Sequence, residues 1–152
     1  MKNHRDTMKA IAAAALLCAA GFAQAAGSAD INVSATVQGI CKFQAASADL
    51  AFGSLDPSGG AGATASGSIT YKCTNGTAAP TVSFNSGTGS RTMSSGANTL
   101  AYTVTLGSTV AGTGFGSGQE KTLTLGGSIA AAALENATAG TYTETVQINI
   151  TP

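Results

Sequence analysis

Along residues 29 to 38, ADINVSATVQ, apolar Ile31, Val33, Ala35 and Val37 alternate with polar Asn32, Ser34, Thr36 and Gln38. Period-two alternation predicts a strand with one face toward apolar partners and the other toward water. The pattern returns in TASGSITYKCT, where Ala65, Gly67, Ile69, Tyr71 and Cys73 share one face and Thr64, Ser66, Ser68, Thr70, Lys72 and Thr74 the other. It returns again in TLAYTVTL, with Leu100, Tyr102, Val104 and Leu106 inward. The chain closes on TYTETVQINIT, whose Tyr142, Val146, Ile148 and Ile150 line one face that Glu144 interrupts.

Shorter strands are predicted at DLAFGSL, PTVSF and KTLTL, around Phe52, Phe84 and Leu123. Between the strands lie DPSGGAGA, TNGTAA, NSGTGS, SSGAN and AGTGFGSG, rich in the residues that turns require. SIAAAALENATAG has a helix-like composition that allows a short helical turn, but it lies between two strands and is read instead as a loop ending at Gly140. About seven strands at this spacing predict an all-β antiparallel sandwich. No internal repeat of fixed period stands out, which weighs against a solenoid.

The first 25 residues stand apart. Lys2, Arg5 and Lys9 precede the apolar run AIAAAALLCAAGFA, and Ala23-Gln24-Ala25 ends it. This is the pattern of a signal peptide, too short to span a bilayer. Cys18 follows Leu17 rather than the small residue that a lipoprotein signal favours, so it is expected to leave with the signal. Removing 25 of the 152 residues leaves 127, enough for one domain. Residues 26–38 are expected to form an N-terminal extension and 39–152 the domain itself. No other apolar run is long enough for a membrane helix, so the mature protein is expected to be soluble and exported.

Composition narrows the partners. Lys2, Arg5, Lys9 and Asp6 go with the signal, leaving four basic against six acidic residues and a formal charge of −2. No basic patch offers itself to nucleic acid. Charged residues are only 9% of the chain, so the surface is covered mainly by hydroxyls and amides, which repel neighbours weakly and suit close assembly.

Cys41 and Cys73 remain in a chain sent to an oxidising compartment and are expected to pair. Closing that loop is worth roughly 3 to 4 kcal/mol in the chain-entropy model. A redox role calls for Cys-x-x-Cys, which is absent.

Catalytic chemistry finds little purchase. The only histidine is His4, within the signal, which removes the commonest general base and metal ligand. Asp30, Asp49, Asp56, Glu120, Glu135 and Glu144 are well separated, and nothing marks two of them as a catalytic pair. GTGFGSG is followed by KTLTL rather than a helix, so it reads as a turn and not a phosphate cradle. NVS, NGT, NAT and NIT match the glycosylation acceptor by letter, as any chain rich in Asn, Ser and Thr will. No enzyme activity, cofactor or metal is expected.

The leading strand has two readings. It is the first strand of the domain's own sandwich, or an arm that completes a neighbour's sheet by strand addition. Burying Ile31, Val33, Ala35 and Val37 in such a neighbour is worth roughly 5 to 9 kcal/mol from apolar area.

GSADINVSATVQGICKF, DLAFGSLDP, GSITYKCTNGTAAPTVSF and GTYTETVQINITP together resemble the spore coat protein U-like family, which includes subunits of archaic chaperone-usher pili. The resemblance covers most of the mature chain. It implies an immunoglobulin-like sandwich lacking its last strand, to which a periplasmic chaperone first lends one. At an outer-membrane usher the arm of the next identical or related subunit then takes its place. Carried over, Ile31, Val33, Ala35 and Val37 are the inserting donor-strand side chains, and Cys41 and Cys73 match the family's bridging cysteines. Tyr142, Val146, Ile148 and Ile150 match the final strand, which borders the groove and meets the chaperone.

The region after TVSFNSGTGS is shorter than in the best-known members, and a single domain behind an arm resembles a shaft subunit. The implied function is a structural subunit of a cell-surface fimbrium supporting adhesion and biofilm formation. The alternative is a secreted or coat-associated binding protein with a complete sandwich.

Overall fold

The computed structural model describes residues 27–152. The expected signal peptide at residues 1–25, with His4 and Cys18, lies outside them. The chain divides into one unit ending at Ala35 and another from Thr36 to Pro152. In the first, residues 27–35 form no strand, and Ile31 and Val33 are 87% and 88% exposed. Alternation fits a chain for a strand, but only a hydrogen-bonded partner makes it one.

The second unit is all-β. Seven strands form: β1 (Cys41–Phe43), β2 (Ala63–Cys73), β3 (Thr81–Phe84), β4 (Ser90–Ser95), β5 (Asn98–Leu106), β6 (Lys121–Ile129) and β7 (Ile148–Thr151). A five-stranded antiparallel sheet has the order β1-β2-β6-β5-β4, and β3 pairs with β7 in a second, two-stranded sheet. The register of β2 on β6 runs from Ala63 opposite Ile129 to Tyr71 opposite Lys121.

The small sheet packs on one face of the large one. Near the disulfide, Ile69, Tyr71, Cys73 and Leu123 of the large sheet meet Val82, Ile148 and Ile150 of the small one. Toward the other end, Leu100, Tyr102, Val104, Ile129 and Leu134 form a second cluster, covered by Leu50, Phe52, Phe84, Tyr142 and Val146. The alternation in β2 and β5 is what feeds these clusters: Leu100, Tyr102 and Val104 are buried while Thr99, Ala101 and Thr103 are exposed.

Four expectations need correction. DLAFGSL is not a strand: Gly53 adopts φ +72°, outside extended geometry, and the segment lies over the large sheet instead of joining its ladder. TYTETVQINIT is ladder-paired only from Ile148, apart from a single bridge between Thr143 and Ser94, because β3 is too short to pair with all of it. SIAAAALENATAG is not a loop throughout, since Ala131–Glu135 form a short helix, α1, that buries Leu134. The turns expected at NSGTGS and SSGAN give up Ser90, Ser94 and Ser95 to a strand, Ser90–Ser95, which makes a hairpin with β5 through Gly96, whose φ is +60°.

Candidate functional site

A trough of about 920 Å³ lies between two stretches of backbone. One wall is residues 45–52, running from the disulfide end toward the α1 end. The other is residues 142–149, running the opposite way. Ile69 of β2, Leu125 of β6 and Tyr102, Val104 and Leu106 of β5 form the floor. At the α1 end the trough continues into a hollow of about 650 Å³ that shares Leu50, Phe52, Met93 and Tyr142 with it.

Glycines set the first wall. A Cβ at Gly67 would collide with the Asp49 carbonyl, and one at Gly127 would lie 2.8 Å from Phe52 and 3.0 Å from Leu50. The missing side chains let residues 49–52 settle directly on the sheet.

Both walls leave backbone groups free. After Gln44 N–H donates to the Thr70 carbonyl (2.9 Å), residues 45–52 make no backbone–backbone hydrogen bond among the described residues. On the second wall, Thr143 exchanges both bonds with Ser94 (3.1 Å each), and the Gln147 carbonyl accepts from Asn85 N–H (2.9 Å). The odd-numbered positions thus point away from the trough. By strand alternation, the N–H and C=O groups of Tyr142, Glu144, Val146 and Ile148 point into it. Tyr142, Glu144 and Val146 make no backbone–backbone bond among the described residues. Unpaired backbone groups along both sides of an apolar floor are what a strand laid between them would engage.

An ion pair stands among the apolar side chains of the lining. Glu144 Oε1 accepts from Arg91 Nε at 3.1 Å, and the two side chains are 24% and 11% exposed. Arg91 also donates to the carbonyls of Ser86 (3.0 Å) and Thr88 (3.1 Å), and its guanidinium sits 5.6 Å from the centre of the Phe84 ring. Tyr102 lies beside this pair, and burial, reinforced by Glu144, pushes its hydroxyl up to about 12. It stays protonated across the ordinary pH range.

The structure positions the expected site residues as follows. Tyr142, Val146 and Ile148 line the trough, half-buried; Ile150 lies beyond it, packed toward the disulfide. Cys41 and Cys73 are bonded, with Cα atoms 4.1 Å apart, as expected. Val37 is 81% exposed, and Ala35 is exposed at the close of the first unit. Thr74 holds the segment after Val37: its hydroxyl donates to the Gln38 carbonyl (3.1 Å) and accepts from Ile40 N–H (3.1 Å).

Sequence reasoning missed the 45–52 wall, of which only 49–52 falls in the expected DLAFGSL strand, and the partnership of Arg91 with Glu144. Glu144 was visible as the interruption in an apolar face, but its partner lies 53 residues away. Among the described residues no group of His, Cys, Asp and Glu is placed to hold a metal ion. No helix among them is long and apolar enough to cross a membrane.

A family model described as the Spore Coat Protein U domain matches residues 28–149. No curated protein and no solved structure matches the chain.

Proposed function

The chain belongs to the Spore Coat Protein U domain family, and from that membership we propose that it is a structural subunit of a surface pilus built by donor-strand exchange. In this reading residues 39–152 form the subunit body and residues 26–38 the arm, which fills the trough of the next subunit along the fibre. Ile31, Val33, Ala35 and Val37 are the inserting side chains, and the wall bearing Tyr142, Val146 and Ile148 receives them. A periplasmic chaperone occupies the trough before assembly, and an outer-membrane usher oversees the exchange. The finished fimbrium is extracellular and supports adhesion and biofilm formation.

The observation that carries the reading is the pair of facing walls with unpaired backbone groups. Exposed, they and the apolar floor are costly in water and prone to unwanted pairing. A strand from another copy satisfies both at once. Because the arm and the trough are different surfaces, the contact is head-to-tail and generates a filament rather than a closed pair.

The test is deletion of residues 26–38 in cells that assemble the native chain. Export should continue and the shortened protein should accumulate as monomer or chaperone complex, with no fibres seen by electron microscopy. Fibres assembled from the deleted form would overturn the proposal.

A further inference from the structure

The two walls of the trough run in opposite directions, so a strand laid between them is parallel to one and antiparallel to the other. The chain's own base settles which. Gln38 and Ile40 are tied to Thr74 beside the disulfide, and only three residues separate Val37 from Cys41. An arm coming in at the disulfide end would meet this pinned segment. An arm coming in at the α1 end meets the open hollow by Leu134 and Gly140. Its C-terminal part then lies at the α1 end, and it runs antiparallel to residues 142–149.

Resting on the pilus-subunit reading, we infer that Ala35 of the incoming arm lies opposite Glu144, and that the Arg91–Glu144 pair sets this register. The pairing then places Ile31 opposite Ile148, Val33 opposite Val146 and Val37 opposite Tyr142. Every large apolar side chain meets an apolar partner on the 142–149 wall, and the smallest of the four meets that wall's one acidic side chain. A shift of two residues either way sets Val33 or Val37 on Glu144. That would strip water from an ion pair already mostly buried, without supplying a polar partner in return. It would also carry one end of the arm past the lining, to Gly140 or to Ile150. Alanine fits because its methyl group leaves the carboxylate its contacts with Arg91 and solvent. Glu144 is thus a positioning residue that uses its cost to reject wrong registers.

The register is read by cysteine pairs in the full chain, oxidised within assembled fibres and run on non-reducing gels. Directly opposite residues bring Cα atoms to about 5.5 Å, within the disulfide range of about 4.4–6.8 Å. Val33→Cys with Val146→Cys should give a ladder of covalent multimers, and Ala35→Cys with Val146→Cys should not. The reverse result overturns the register while leaving the donor-strand reading standing. Fibres that give a ladder with neither of these pairs, nor with Ile31→Cys and Val146→Cys, which the opposite shift brings together, overturn the donor-strand reading itself.

A second measurement isolates Glu144. Ala35→Leu should lower fibre yield by about tenfold or more, through desolvation of the pair, while Val33→Leu changes it little. Glu144→Ala should restore assembly to Ala35→Leu. Failure of that rescue in a double variant that still folds and is exported would overturn the role of Glu144.

Discussion

The Tyr71 hydroxyl, on a side chain with no exposed surface, donates to the Val110 carbonyl (3.1 Å) and accepts from the Val110 N–H (2.8 Å). One buried side chain thereby satisfies both backbone groups of a residue in the long connection between β5 and β6. Tyr71→Phe removes both bonds at a residue that is itself 53% exposed, so water takes over in part and the loss is that of an ordinary hydrogen bond, about 0.5–1.5 kcal/mol. Thermal or denaturant unfolding should show a loss of that size. Amide exchange at Val110 should rise more than exchange within β2.

The disulfide joins β1 to the buried end of β2 across a sequence separation of 32. Reduction, or replacement of both cysteines by serine, should lower stability by roughly 3 to 4 kcal/mol. Denaturant melts with and without reductant measure it. Because β1 is only three residues long, the loss should first appear as faster exchange at Cys41–Phe43.

Lys72 sits on the outward face of β2 yet is buried, because the stretch 115–120 folds over it. Its Nζ donates to the Gly116 carbonyl (2.9 Å) and pairs with Glu120 Oε1 (2.7 Å). The hydrogen bond from Lys72 holds the Glu120 carboxyl below its ordinary value of 4.5. A depressed carboxylate contributes stability above its unfolded pKa and loses it as pH falls through the folded one. Protection of the Gly114 amide, which donates to the Cys73 carbonyl at 2.9 Å just before this stretch, should therefore be full at neutral pH and fall away below about pH 4.5. Glu120→Gln should remove that step. Asp56, lowered by its hydrogen bonds from Ser58, titrates in the same direction, so Asp56→Asn is the control.

Gly67 lets the 45–52 wall rest on the sheet, since an added Cβ would collide with the Asp49 carbonyl. Gly67→Ala should cost about 1–3 kcal/mol, as overpacking does. It should also displace the wall, so fibre yield should fall further than the change in melting temperature of the isolated subunit accounts for. An equal effect on both would mean that the wall has no part in assembly.

Much of the fold was legible because alternation records which side of a strand faces a core. Ile69, Tyr71 and Cys73 in β2, and Leu100, Tyr102 and Val104 in β5, are buried as their spacing predicts. The cysteine pair followed from number and compartment. The bounds of the last strand did not follow, because the even spacing of Tyr142, Val146 and Ile148 continues past the point where β3 has residues to pair with.

By itself, then, the sequence determined an all-β chain, its inward faces, its disulfide and an apolar-alternating leader. Those are local or compositional properties, written in each segment alone. Only the tertiary structure decided that residues 45–52 and 142–149 face each other with free backbone groups, that Glu144 meets Arg91, and that Lys72 is covered. Each of these depends on which distant segment arrives alongside, and hydrogen-bond partnership across tens of residues leaves no periodic trace in either partner.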